Sequence, residues 1–191
     1  MYSDPQAWVQ PDQMAKEFAD LLDIYKAHAP KYVLEIGVRE GGTFYQWMKH
    51  ARPDTTIIGI DFPIGEWGGK PTADFPGFWK YAGERSVIIN MILGDSHHEL
   101  TKEGICGTMP SIDFLFIDGD HSYNGVRDDF EFYSQLVSPG GVIAIHDILP
   151  NTKDYKIAVP LYWAELKERY TCQELTSYDD QDGRGIGVVY L

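Results

Sequence analysis

At 191 residues the chain has the length of one domain, long enough to bury a core and too short for two domains of ordinary size. Apolar residues at 43%, aromatics at 14% and charged residues at 24% exclude disordered and fibrous classes. Sixteen Lys and Arg against 29 Asp and Glu give a net charge of −13, which repels phosphate backbones and anionic lipid and argues against nucleic acid or a membrane surface as partner.

The opening MYSDPQAWVQPDQ carries no basic segment followed by an apolar run, and no stretch approaches the roughly 18 apolar residues of a membrane span, so the expected location is the cytoplasm. Cys106 and Cys172 form no close-spaced pair. That suits a reduced compartment and argues against structural zinc, and each cysteine reads as a small, at least partly buried apolar residue.

In chain order, Met14, Phe18, Leu21, Leu22 and Tyr25 recur at helical spacing and stop before Pro30, which predicts an amphipathic helix. Short runs rich in β-branched residues follow at 32–36, 56–60, 86–93, 112–117 and 141–145, each bounded by Gly, Pro or Asp, and read as buried strands. Helical patterns lie between them at 43–51, 96–103 and 122–137. Segment 62–77, rich in Gly and Pro, reads as a long loop, either a surface excursion or a flap over a ligand. After Pro160 a helix is expected at 161–170, then strands at 171–178 and 184–190 around the turn DDQDG.

The expected fold is α/β: a Rossmann-like, doubly wound, mostly parallel seven-stranded sheet with a C-terminal antiparallel hairpin. It forms one domain over 1–191, with an N-terminal helix in 1–30, a cofactor-binding core at 31–148 and a C-terminal helix and hairpin at 149–191.

The run VLEIGVREGGT at 33–43 is a strand, a glycine turn and a helix start, the first unit of a nucleotide-binding crevice. A dinucleotide site wants Gly-x-Gly-x-x-Gly so that a pyrophosphate can rest on the helix N-terminus. Here the spacing is Gly-x-x-x-Gly-Gly, and Glu35 precedes Gly37, so a pyrophosphate would meet a carboxylate. A ligand bearing an ammonium and a sulfonium but no phosphate, such as S-adenosylmethionine, suits that carboxylate better. Asp61 closes the next strand, where an acid hydrogen-bonds ribose hydroxyls in such folds, and Asp95-Ser96 closes the third.

Through LEIGVREGGT, IIGID, ILGDS and FIDGDHSYNGVRDDFEFYSQLVSPGGVIAIHD, the stretch from Tyr32 to Ile148 resembles class I methyltransferases. More narrowly, it is similar to the small family that includes cephalosporin hydroxylase-like proteins, macrolide-sugar O-methyltransferases and, more distantly, catechol O-methyltransferase. The resemblance implies that these segments hold, in turn, the methionine end, the ribose, the adenine and the catalytic rim. Carried over, it implicates Glu35, Gly37, Thr43, Asp61, Asp95, Ser96 and Asp118 in cofactor binding.

Asp118, Gly119, Asp120 and His121 follow the fourth strand, and His146-Asp147 the fifth. Adjacent strands lie about 4.8 Å apart, so Asp118 and Asp147 can converge on one cation, and the expected metal set is Asp118, His146 and Asp147. Methyl transfer to oxygen needs a partly deprotonated hydroxyl, and His121, three residues after Asp118, is placed to accept that proton. The resembled sugar O-methyltransferases use such an acid and histidine and complete their metal site with a second acidic pair. His146 departs from that pair. Imidazole is a poor ligand for magnesium and a better one for manganese, iron or zinc, so the metal and its presence stay open.

The same residues have plainer readings: His146 as a hydrogen-bonded strand end, Asp120 as a helix cap, His97 and His98 as rim residues, and Arg127, Asp128 and Asp129 as a solvated helical face. The expected function is S-adenosylmethionine-dependent O-methylation of a small sugar-like or phenolic metabolite. Specificity then falls to loops 62–77, 119–125 and 148–158 or to a second copy of the chain. The alternatives are a metal-dependent hydrolase built on Asp95, Asp118, His121, His146 and Asp147, a non-catalytic binder of S-adenosylmethionine or S-adenosylhomocysteine, and, disfavoured by the glycine spacing, a nicotinamide dehydrogenase.

Overall fold

The computed structural model describes residues 10–62, 75–154, 156–178 and 181–191. Its strands are β1 (Tyr32–Ile36), β2 (Thr56–Asp61), β3 (Ile88–Leu93), β4 (Ile112–Ile117), β5 (Val137–His146), β6 (Thr171–Leu175) and β7 (Ile186–Tyr190). The helices are α1 (Ala15–His28), α2 (Gly42–His50), α3 (Phe75–Glu84), α4 (Glu99–Thr108), α5 (Tyr123–Tyr133) and α6 (Val159–Arg169). All seven strands join one sheet in the order β3-β2-β1-β4-β5-β7-β6. The first five are parallel, and β7 runs antiparallel between β5 and β6. The doubly wound sheet and its terminal hairpin are therefore those expected from the sequence.

Several boundaries differ from the sequence reading. Helix α3 occupies the end of the stretch read as loop 62–77, whose residues 63–74 lie outside the described residues. Strand β5 begins earlier, at Val137, because the chain passes through Pro139-Gly140-Gly141 with a register shift opposite β4 and keeps its pairing. The 122–137 helix ends at Tyr133 and continues as a 3-10 turn over Ser134–Leu136. Among the described residues no helix is long and apolar enough to cross a membrane.

The alternation of side chains along the buried strands divides the core in two. Val33, Ile57, Phe114 and Phe116 face α1, α2 and α3, whereas Leu34, Ile58, Leu115 and Ile143 face α4, α5 and α6. Trp47 of α2 anchors the first layer, with ring centroids 5.3 Å from Phe18, 5.0 Å from Tyr25, 5.2 Å from Phe114 and 5.7 Å from Phe116. In the second layer Trp163 of α6 packs directly against β7 because position 187 is glycine: a Cβ there would stand 2.6 Å from the indole. Removing the ring of Trp47 empties the junction of four aromatic side chains, so Trp47→Ala should lower stability by about 3–5 kcal/mol, read as a fall in the urea midpoint.

Candidate active site

Strand order reverses between β1 and β4, and there the backbone closes most tightly. Gly37 has φ +87° and no room for a side chain: its Cβ would fall 2.0 Å from the Asp118 carbonyl oxygen. The turn after β1 is held from below by Asp61, whose Oδ2 accepts from Val38 N at 2.8 Å and also from Arg39 N. This leaves a cavity of about 570 Å³ above the strand ends, lined by the 36–43 turn, the ends of β2 and β3, and the segments after β4 and β5. Its size suits a nucleoside-sized ligand.

Gly37, Thr43, Asp61, Asp95, Ser96, Asp118, His121, His146 and Asp147 all line this cavity, so the sequence candidates converge, with one difference. Glu35 is not among the lining residues. It shares a pleat face with Val33, points into the α2 layer and is fully buried. Its Oε1 accepts from Thr43 Oγ1, and Oε2 has no partner among the described residues. Burial pushes its carboxyl well above the usual range, against the hydrogen bond from Thr43 and with help from the charges of Asp118 and Asp61.

Asp118 is the hub of the opposite wall. Oδ1 lies 3.1 Å from His146 Nδ1 and 3.3 Å from His121 Nε2, and Oδ2 accepts from Gln13 Nε2 at 2.6 Å. His121 Nδ1 is 3.4 Å from Asp147 Oδ2, so the imidazole bridges the two carboxylates. Asp147 itself has φ +61°, an unusual conformation for a residue with a side chain and one that costs energy to hold. Burial alone would raise Asp118, but the charge of His146 and the hydrogen bonds from His121 and His146 outweigh it and hold the carboxyl far below its ordinary range. His146 is pushed up to about 9, burial opposing and Asp118 prevailing. His121 is raised in the same way: burial opposes, and the hydrogen bond and charge of Asp118, with the charge of Asp147, prevail.

Among the described residues, the group whose donor atoms could hold a cation is Asp118, His121 and Asp147, all within 4.8 Å of one another. His146, expected in that set, instead turns Nδ1 onto Asp118, and its Nε2 is buried without a partner among the described residues.

Other assignments shift with packing. Ser122 caps α5 by accepting from Gly125 N at 3.0 Å, while Asp120 supports the turn by accepting from Ser122 N at 2.8 Å. His98 caps α4, its Nδ1 accepting from Leu100 N at 3.2 Å. Asp129, expected on a solvated face, is fully buried, with Oδ1 3.2 Å from Nε2 of the cavity-lining His97. Cys106 is exposed, not buried as its residue type suggested, and Cys172 is half-buried. Gln13 and Arg184 also line the cavity, and no sequence pattern marked either.

Residues 34–148 match the family model described as a methyltransferase domain, which is well over half of the chain. The chain belongs to this methyltransferase family. An uncharacterized protein of Sinorhizobium fredii is 39% identical over 142 residues, covering 72% of this chain and 15% of its own length. An uncharacterized protein of Acanthamoeba polyphaga mimivirus is 50% identical over 122 residues, covering 60% of this chain and 50% of its own length. The chain therefore spans half or less of each of these relatives. Among solved structures, an O-methyltransferase from Bacillus cereus in complex with S-adenosylhomocysteine superimposes with a TM-score of 0.68 at 17% identity, over 95% of this chain and 84% of that one. At that identity the likeness establishes the fold.

Asp129, with Oδ1 3.2 Å from Nε2, raises His97 to about 9, together with the charge of Asp95 and the Gly125 carbonyl, burial opposing. A histidine raised on folding stabilises fully below its unfolded value near 6.5 and loses that contribution as pH rises through about 9. The urea midpoint of the native protein relative to Asp129→Asn should therefore decline from pH 6 to pH 9.5. A pH-independent difference would show that the two groups do not titrate as a pair.

Proposed function

We propose that the protein transfers the methyl group of S-adenosylmethionine to a hydroxyl of a small, non-anionic metabolite. The observation that carries this reading is the junction of two features in one cavity: a glycine turn with no space for a side chain, and an ionised Asp118 flanked by His121. Bound S-adenosylmethionine supplies a methyl group on a positive sulfur, which bonds to the acceptor oxygen as its bond to sulfur breaks. The residues around the cavity suit such a ligand. Asp61, at the end of β2 and some 20 residues beyond the glycine turn, is where ribose hydroxyls are held in these crevices. Ionised Asp118 favours positive charge nearby. At the rim Arg39 is paired with the Asp12 carboxylate, and with ionised Asp118 in the wall this disfavours an anionic acceptor, whereas Arg184 meets only the Asp12 carbonyl and keeps its charge.

His121 takes the acceptor's proton in this reading. Only its neutral form can take the proton, and the two carboxylates that flank it raise its affinity for a proton and stabilise the imidazolium that results. Asp61→Ala should weaken S-adenosylhomocysteine binding about tenfold or more by calorimetry, since it removes both the ribose acceptor and the support of the 36–43 turn. His121→Ala should leave that affinity within about twofold and lower kcat by about 10²–10⁴.

The closeness of the Asp118, His121 and Asp147 donor atoms favours a second reading of the same chemistry, in which they hold a divalent cation. Two carboxylates and one imidazole are a donor set that manganese, iron or zinc accepts. Such an ion would supply fixed positive charge favouring the ionised hydroxyl, and His121 would then be a ligand, not the base. Chelation distinguishes the two: with a metal, kcat should fall at least about tenfold in EDTA and recover with manganese, whereas with His121 as base it should be unchanged.

A further inference from the structure

The sequence set a cationic cofactor against the Glu35 carboxylate, but Glu35 points into the α2 layer and is not among the residues that line the cavity. The chain offers a different acceptor. Gln13, in the segment that leads into α1, donates from Nε2 to Asp118 Oδ2 at 2.6 Å. That contact orients the amide: with the group reversed, two oxygens would oppose each other at hydrogen-bond distance. Its Oε1 is therefore directed away from Asp118, is buried, and has no hydrogen-bond partner among the described residues, although the residue lines the cavity. Buried acceptors are rarely left without a donor, because their lost hydration is not replaced.

Resting on the cofactor reading above, we propose that Gln13 receives the α-ammonium of S-adenosylmethionine, its Oε1 accepting one N–H while Asp118, to which it is hydrogen-bonded, supplies the opposing negative charge. The placement follows from the two ends of the ligand. With ribose at Asp61 on the β2 side, the amino-acid end extends toward β1 and β4, where Gln13 and Asp118 meet. An ammonium presents three donors from a single atom, enough for the amide oxygen and the carboxylate together. The guanidinium groups nearest this segment are engaged elsewhere, Arg39 with the Asp12 carboxylate and Arg184 with the Asp12 carbonyl.

Gln13 is held in place from both sides. Upstream, the Gln10 carbonyl lies over Gly42, where a Cβ would fall 2.2 Å from its oxygen, so residue 42 must lack a side chain for the segment to pass. Downstream, fully buried Glu17 accepts from Ser177 Oγ at 3.0 Å, Gln181 Nε2 at 2.5 Å and Gly185 N at 3.1 Å, tying the first turn of α1 to the C-terminal hairpin. The carboxamide is thus presented by a fixed backbone, and it comes from outside the 34–148 region that defines the family.

Calorimetric titration of the whole protein with S-adenosylhomocysteine, with its analogue lacking the α-amino group, and with 5′-methylthioadenosine, which lacks the whole amino-acid tail, tests the assignment. Gln13→Met, similar in volume but without the acceptor, should weaken S-adenosylhomocysteine about ten- to a hundredfold and leave 5′-methylthioadenosine within about twofold. The native protein should lose a similar factor with the desamino analogue, and Gln13→Met should add little to that loss. This comparison within the native protein holds even where the variant folds poorly, which its thermal midpoint without ligand reports. Equal weakening of all three ligands by the substitution, or an unchanged affinity for S-adenosylhomocysteine, overturns the role of Gln13 and leaves the cofactor reading standing. A native protein that binds none of the three overturns the cofactor reading, and the Gln13 assignment falls with it.

Discussion

The site depends on the closeness of two backbones. Where strand order reverses between β1 and β4, the α-carbon of Gly37 lies so near the Asp118 carbonyl that a methyl group could not stand between them. The two strands cannot separate there without losing Asp118 N to Ile36 O at 2.8 Å, while Gly37 N to Ile60 O, also 2.8 Å, ties the same turn to β2. Everything chemical is referred to that junction: the turn that follows β1 forms one wall of the cavity and the acid that follows β4 forms the other. Because both walls grow from neighbouring strands of a packed sheet, their separation is set by the sheet and not by flexible loops.

Charge is distributed around the junction by burial as much as by residue type. Glu35 and Asp118 are both carboxyls at the ends of adjacent strands, yet they are driven in opposite directions. Glu35 is enclosed in an apolar layer, whose desolvation disfavours the ionised form more than the Thr43 hydroxyl favours it, whereas Asp118 meets two imidazoles that hold it ionised. Pairs of acids pushed apart in this way mark sites where different groups take different roles. The left-handed conformation of Asp147 belongs to the same arrangement: it turns the carboxylate toward His121 at the cost of backbone strain.

Around the shared core, the chain adds its own rim. Asp12 and Gln13 before α1, Arg184 before β7 and the buried Glu17 join the two ends of the sequence over the cavity. These contacts cross 105 to 172 positions of sequence, and Asp12, Gln13, Glu17 and Arg184 all come from outside the 34–148 region that matches the family model.

The residues alone determined the class of fold and most of the cavity. Buried strands advertise themselves as short β-branched runs, and the acids and glycines at their ends fall at the C-terminal edge of the sheet whatever the helices do, so Gly37, Asp61, Asp95, Asp118 and His121 were all identifiable. Helix α3 escaped notice because its Pro76-Gly77 start carries the residues of a turn. The direction of Glu35 was decided only by the assembled sheet, since period-two alternation says that neighbours face opposite ways but not which way the α2 layer lies. The same holds for His146 against His121, for the burial of Asp129 and for Gln13 on Asp118. Each depends on which distant groups compete for one carboxylate, and that competition exists only once packing has removed water and brought the groups together.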